Sequence, residues 1–243
     1  MLVPDSFGEW HPIKSTPDSV LMMDEPRRGG RVRRFSMNRL EAFSDAVFAI
    51  AITLLVLELA VPIAGEQGLL SALHEEWLSY LAYLVSFATI GAFWLAHSAI
   101  TEYVTSADPV FLRLNLAFLL VVSFLPYPTK VVAEFTREDE TERVAATFFG
   151  ATVLIGLVLL VGLWRYAMSA GLAQLDGGEG DERLFLRRVI PAGVAYLLLI
   201  FIGFPSPTVA VVGYLAVAIF LILPFGAILP HPRASGDVKP DLA

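Results

Sequence analysis

Cysteine is absent from this chain of 243 residues, which excludes disulfide bonds and thiolate metal sites. The four histidines are spread over several regions, so we expect no histidine-based metal site. The sequence also lacks HExxH, GxSxG, a phosphate-binding glycine loop and a paired-carboxylate motif, so we expect no enzyme and no cofactor. A net charge of −7 argues against a nucleic-acid partner.

Apolar residues dominate what is present. They make up 56% of the chain, charged residues make up 17%, and the mean hydropathy is +0.66. Apolar runs recur that are long enough to cross a bilayer, which takes about 20 residues as a helix. This pattern predicts an integral membrane protein of the all-α class, a polytopic bundle whose surroundings are the lipid bilayer. The six predicted transmembrane helices are 39–61, 78–100, 111–134, 144–166, 185–204 and 208–229.

The six predicted spans form one domain, residues 39–230. Residues 1–38 are polar and predict a disordered N-terminal arm, and residues 231–243 predict a polar C-terminal tail. Cytoplasmic loops carry an excess of Lys and Arg, and seven of the 17 basic residues precede or open the first span. We therefore expect a protein of the cell membrane with both the arm and the tail in the cytoplasm. Lys130, on the opposite side in this arrangement, disagrees with the rule, but the N-terminal cluster is larger.

The first span opens with RLEAFSDAVFAI and then runs apolar. At about 100° per residue, one face of this helix gathers mainly apolar side chains. We name this face the apolar stripe, and its members are Phe43, Ala46, Ile50, Thr53, Leu54 and Leu57. Periodicity cannot separate the core of a bundle from the lining of a pore, so both interpretations of the stripe stay open.

Asp45 points away from the apolar stripe, and a carboxylate inside a helical bundle needs a partner. We expect it to face another helix at the depth where the second span ends and the third begins. The candidate donors are Arg39, His97, Ser98, Arg113 and Asn115. Two roles stay open for Asp45, a structural link between helices and direct contact with a transported ion.

The pattern R-x-x-x-F-S-D, formed by Arg39, Phe43, Ser44 and Asp45, resembles the signature of the transmembrane protein 175 family. That family comprises the endolysosomal-type potassium channels and their prokaryotic relatives. The W-x-x-H pattern of Trp94 and His97 and the RLNLAFLL start of the third span, which contains Asn115, resemble it as well. The resemblance covers the first three spans, and the last three agree only in number and length.

The resemblance implies a homotetramer in which the first helices of four subunits line a pore for K⁺. Ile50, with Leu54 and Leu57 further outward, would form apolar constrictions, and Thr53 would offer a hydroxyl near the narrowest point. The signature residues Arg39, Phe43, Ser44 and Asp45, with Trp94, His97 and Asn115, would lock the first helix to the second and third.

The resemblance implies a potassium-permeable channel. An apolar constriction with Thr53 hydroxyls and no TVGYG filter predicts weak to moderate K⁺ selectivity, and the lack of an arginine ladder predicts leak-like behaviour rather than strong voltage sensing. The alternative is a secondary transporter that uses Asp45 or His97 for proton coupling. It is disfavoured because the sequence has no two related halves with broken spans. Glu58 lies beside the stripe at its outer end, where it would either draw cations to the mouth or extend to the interface.

Overall fold

A computed structural model describes residues 2–4, 10–12, 36–59, 68–134, 139–174 and 179–223. The helices within these ranges are α1 (Met37–Leu55), α2 (Leu69–Glu75), α3 (Trp77–Tyr103), α4 (Pro109–Phe124), α5 (Pro126–Glu134), α6 (Asp139–Ser169), α7 (Glu179–Gly203) and α8 (Pro207–Ile222). Two three-residue strands, β1 (Leu2–Pro4) and β2 (Trp10–Pro12), pair antiparallel within a separate compact unit, Met1–Val32. The rest of the predicted arm before Ser36, and the whole predicted tail, lie outside the described residues.

Five stretches of the described chain are long and apolar enough to cross a membrane. They are Met37–Glu58, Trp77–Tyr103, Pro109–Glu134, Glu140–Ser169 and Phe185–Gly203. Each coincides with one of the first five predicted spans, and the predicted all-α polytopic class is confirmed. Helix α8 occupies the position of the sixth span but has 16 residues, and the chain after Leu223 lies outside the described residues. The sixth span therefore stays a prediction.

The third predicted span, 111–134, is two helices rather than one. Helix α4 begins at Pro109, because the Asp108 carboxylate caps it by accepting a hydrogen bond of 2.7 Å from the Phe111 N–H. It ends at Phe124, since proline at 126 has no N–H to continue the helical ladder. Helix α5 follows after the single residue Leu125.

Helix α3 lies at the centre of the described bundle, where it packs against α1, α5, α6 and α8. The hydroxyls of Ser86 on α3 and Thr129 on α5 form a buried hydrogen bond of 2.6 Å, which fixes α5 on α3. Within the membrane-crossing windows, half of α3 is buried inside the subunit, against 28% of α1. Helix α1 therefore lies at the edge of the subunit, with a large surface left uncovered.

A glycine lets α8 approach α6 closely. The aromatic rings of Tyr196 and Tyr214 stack with centroids 5.1 Å apart, and Tyr214 reaches across to Gly150. A Cβ atom at position 150 would overlap the Tyr214 hydroxyl and the Ile200 side chain. The Tyr214 hydroxyl donates instead to the backbone oxygen of Ala146, so the close approach also satisfies a buried polar group.

Candidate functional site

Helix α1 has one face buried in the subunit and one face exposed. The buried residues recur every three or four positions and are Met37, Leu40, Ser44, Phe48, Ala51 and Leu55. They pack against α3 and α4. The apolar stripe lies on the exposed side, where Phe43, Ile50, Leu54 and Leu57 are 52%, 59%, 40% and 74% exposed. Ala46 and Thr53 of the stripe are exposed too. The stripe is therefore not part of the core of the subunit.

Thr53 adds a polar atom to this apolar surface. Its hydroxyl donates a hydrogen bond of 2.9 Å to the backbone oxygen of Ile50, one turn earlier in α1. The bond uses the hydroxyl proton and leaves oxygen lone pairs able to accept. A side chain in this arrangement presents partial negative charge to the surface of the stripe, which suits a cation and does not suit an anion.

Asn115 joins α1, α3 and α4 through two buried hydrogen bonds. Its amide nitrogen donates to the Ser44 hydroxyl over 3.1 Å, and its amide oxygen lies 2.7 Å from His97 Nε2. An amide oxygen only accepts, so the imidazole donates through Nε2. Ser44, His97 and Asn115 are all nearly inaccessible to solvent, at 0%, 1% and 2% exposed. The sequence predicted His97 and Asn115 at the depth of Asp45, and the structure joins them to Ser44, the residue before it.

Two phenylalanines enclose the imidazole of His97. Phe118 of α4 stacks on it with ring centroids 5.7 Å apart and planes within 9°, and Phe48 of α1 contacts it at 5.6 Å. Both phenylalanines are buried. The sequence analysis did not single out either one, although Phe48 lies four residues after Ser44 and Phe118 three residues after Asn115. That helical spacing is the signal that could have found them.

The partner of Asp45 is Trp94 of α3, whose indole Nε1–H donates a hydrogen bond of 2.9 Å to the carboxylate. We had placed Trp94 in the same group of residues but had named other side chains as donors, so the choice of donor was wrong. The pair lies at the surface of the subunit, beside the buried face of α1. Arg39 and Phe43 lie on the other side of that face and line an open groove between α1 and α4, with a volume of about 570 Å³.

Glu58 forms an ion pair with a residue that the sequence analysis had treated only as a loop charge. Lys130 Nζ of α5 lies 3.4 Å from Glu58 Oε2 and 4.0 Å from Glu134 Oε1. Neither role suggested for Glu58 from the sequence included this partner. The two residues are 72 positions apart, so no local pattern could have paired them.

Comparison with known proteins identifies the family of this chain. Residues 39–126 match the profile of a family described as endosomal/lysosomal potassium channel TMEM175. A crystal structure of a TMEM175 homologue from Chamaesiphon minutus, titled a lysosomal potassium-selective channel, superposes with a TM-score of 0.69 at 34% identity. The superposition covers 79% of this chain and 98% of that one.

Two further relatives match over about half of the chain. A protein named as a potassium channel from Streptomyces collinus is 44% identical over 134 residues, which is 55% of this chain and 65% of the relative. A protein named endosomal/lysosomal proton channel TMEM175 from Gallus gallus is 34% identical over 142 residues, again 55% of this chain but only 28% of the relative. The fold and the site define a polytopic α-helical membrane protein whose first helix carries the family signature. The chain belongs to the TMEM175 family.

Proposed function

We propose that this protein is a potassium-permeable, leak-type cation channel of weak to moderate K⁺ selectivity. The observation that carries the proposal is the exposure of the apolar stripe, with the Thr53 hydroxyl among its members, on a helix whose opposite face is buried in the subunit. The bacterial relative and the superposed structure are both named as potassium channels, which supports this function.

The channel is a homotetramer in which four copies of α1 surround the ion pathway. Helix α1 supports this arrangement because it lies at the edge of the subunit and carries large exposed apolar side chains. The Thr53 hydroxyl beside Ile50 and Leu54 adds support, because its oxygen can still accept from or coordinate a passing cation. The N-terminal end of α1 and both termini of the chain lie in the cytoplasm, as the cluster of basic residues before the first span indicates.

Ile50, Leu54 and Leu57 form the constriction, because an apolar ring makes a hydrated ion lose part of its water shell. Thr53 oxygens offset part of that loss for a cation. The stripe carries no fixed negative charge, so selectivity rests on the width of the constriction and on these oxygens. This combination predicts a modest preference for K⁺ over Na⁺.

The residues of the family signature hold α1 in place at its cytoplasmic end. Ser44, His97 and Asn115 are buried on the side of α1 away from the stripe, and Asp45 is bound by Trp94. Arg39 and Phe43 of the signature line the groove beside α4, and Phe43 also belongs to the exposed stripe. These contacts support a role in fixing the pore helix rather than in touching the ion.

The proton-coupled transporter is not favoured. Its two candidate groups are occupied in structural contacts, Asp45 with the Trp94 indole and His97 with Asn115 between two phenylalanines. Burial and these contacts leave the His97 imidazole without access to water for taking up and releasing a proton in each cycle. The relatives described above are also named as channels.

The test is the reversal potential of the purified protein in planar bilayers, first under a K⁺ gradient and then under a pH gradient. A channel gives a reversal potential that follows K⁺. Ile50→Ala and Leu57→Ala raise the conductance or lower the K⁺ preference, whereas Leu120→Ala, at a position 69% exposed on α4, is the matched control and leaves both unchanged. Saturable exchange that needs a proton gradient would contradict the channel, and unchanged permeation in both stripe variants would contradict the proposed pore lining.

A further inference from the structure

We propose that Lys130 is a positioning residue for the outer constriction, and that it acts through its ion pair with Glu58 on the turn that carries Leu57. This inference rests on the proposed function, because it takes Leu57 to lie on the ion pathway. It adds a second attachment of the pore helix, at the end opposite the network around Asn115.

The geometry places Leu57 next to the ion pair. Helix α1 ends at Leu55 and continues as one tighter turn, Val56–Glu58. Leu57 is the most exposed large apolar side chain of the stripe, at 74%, and the following residue is the one that Lys130 binds over 3.4 Å. Leu57, Glu58 and Lys130 line the same cavity, whose volume is about 360 Å³. A change in the position of Glu58 therefore moves the backbone of Leu57 directly.

Lys130 can serve as an anchor because its own helix is fixed. The preceding residue, Thr129, is 2% exposed and forms the 2.6 Å hydroxyl pair with Ser86 of α3. The Thr129 hydroxyl also lies 2.8 Å from the backbone oxygen of Leu125, at the break between α4 and α5. Thr129 thus fixes α5 on α3, the central helix of the bundle. The next residue, Lys130, binds the outer end of the pore helix through Glu58.

The outer attachment is weaker than the inner one. The side chains of Lys130 and Glu58 are 48% and 24% exposed, so water and salt screen their attraction. Glu134 lies 4.0 Å from the same ammonium group and competes for it. The network around Asn115 is buried by comparison. The pore helix is therefore held firmly at its cytoplasmic end and adjustably at its outer end, where Leu57 narrows the pathway.

A simple effect of charge at the pore mouth predicts a different outcome from a positioning effect. Lys130→Glu makes the mouth more negative and Glu58→Lys makes it more positive, so charge alone changes cation conductance in opposite directions. Both variants break the ion pair, so a positioning effect changes the K⁺/Na⁺ permeability ratio in the same direction. Salt of about 1 M would screen the ion pair as well as the mouth, so the comparison is made at about 0.15 M, where the Debye length is ~8 Å.

The experiment measures the K⁺/Na⁺ permeability ratio in planar bilayers at that salt concentration for Lys130→Glu, Glu58→Lys and the double exchange. Positioning predicts that both single variants lower the ratio by about two- to fivefold, the range expected for loss of a partly exposed ion pair. The double exchange, Lys130→Glu with Glu58→Lys, re-forms the ion pair with the charges exchanged and restores most of the wild-type ratio. Glu58→Gln and Lys130→Gln repeat the single losses without reversing charge. Arg143→Glu, an exposed charge on α6, is the control and leaves the ratio unchanged.

Three results would overturn the proposal: single variants with the wild-type ratio, single variants with opposite changes, or a double exchange that does not recover. Leu57→Ala in the same series separates this failure from failure of the proposed function. If Leu57→Ala changes permeation and the Lys130 variants do not, the positioning role is wrong and the pore assignment stands. If Leu57→Ala has no effect either, the pore assignment is wrong as well.

Discussion

Replacing Asn115 by leucine removes the residue that links three helices at the cytoplasmic end of α1. The side chains are of similar size, so the change tests hydrogen bonding more than packing. Asn115 donates to Ser44 and accepts from His97, over 3.1 and 2.7 Å. Both partners stay buried in the variant, at 0% and 1% exposed, and water has little access to replace the lost bonds.

The expected loss of stability is about 1–3 kcal/mol. Hydrogen bonds between helices in membrane proteins contribute roughly 0.6 kcal/mol on average and up to about 1.7, and Asn115→Leu removes two of them. For a chain of this size, 1 kcal/mol corresponds to a change in Tm of about 2–4 °C. We therefore expect the Tm of the purified protein, followed by intrinsic fluorescence in detergent, to fall by about 2–12 °C.

Asn38→Leu is the matched control, because Asn38 is the other asparagine of the chain and is exposed near the start of α1. Its Tm stays near the wild-type value. A double-mutant cycle with Ser44→Ala makes the test sharper, because residues in one network couple by at least about 0.5 kcal/mol. An Asn115→Leu variant as stable as the wild type, or strictly additive with Ser44→Ala, would refute the account of the network.

Three further predictions concern other contacts of the described fold. Asp45→Leu lowers the yield of folded, assembled protein more than it changes the K⁺/Na⁺ permeability ratio, because it removes the acceptor that binds Trp94 away from the stripe. Size-exclusion chromatography and bilayer recordings measure the two effects, and a stable tetramer with altered selectivity would place Asp45 on the ion path. Gly150→Ala costs about 1–3 kcal/mol, because its Cβ overlaps the Tyr214 hydroxyl. Gly162→Ala has open space inside α6 and keeps or raises the Tm, since alanine favours the helix over glycine. Equal Tm values for the two variants would contradict the packing described. Asp108→Ala costs about 1 kcal/mol through loss of the α4 cap, and a thermal melt at neutral pH measures it.

The Asp108 contribution also depends on pH. Burial raises the pKa of its carboxyl, but hydrogen bonds from the Phe111 N–H and the Tyr166 hydroxyl outweigh burial and hold the pKa below its ordinary value. A group with a lowered pKa contributes its stability above its unfolded pKa and loses it as the pH falls through the folded pKa. The difference in Tm between wild type and Asp108→Ala therefore narrows in acid, and a difference that widens would contradict this sign.

The sequence predicted those features that depend on periodicity along one helix. The apolar stripe and the different direction of Asp45 follow from angles around α1, and the common depth of His97 and Asn115 follows from the order of the spans. The predicted third span coincides with an apolar stretch of membrane-crossing length, but it is two helices that meet at Leu125, just before Pro126. Proline removes a donor and can either kink a helix or end it, and only the surrounding packing decides which.

The partners across helices were beyond the reach of the sequence. Trp94 reaches Asp45, and Lys130 reaches Glu58, because of how α1 is rotated against α3 and α5. The rotation of α1 is set by side-chain packing over the whole contact between the helices, of which the contact of Phe48 with His97 is one part. No single residue pattern specifies it. The choice of which face of α1 is buried was likewise open until the packing was known.

The central claim is that the exposed stripe of α1 lines the ion pathway, and substituted cysteines test it most directly. The chain has no cysteine of its own, so a single introduced thiol is the only target for a charged methanethiosulfonate reagent. Leu57→Cys and Leu54→Cys place the thiol on the stripe, and Leu120→Cys and Val158→Cys place it at exposed positions of α4 and α6. The account predicts that the reagent reduces the K⁺ current through the two stripe variants and leaves the two controls unchanged. Currents through Leu57→Cys and Leu54→Cys that the reagent does not alter, together with sensitive controls, would contradict it.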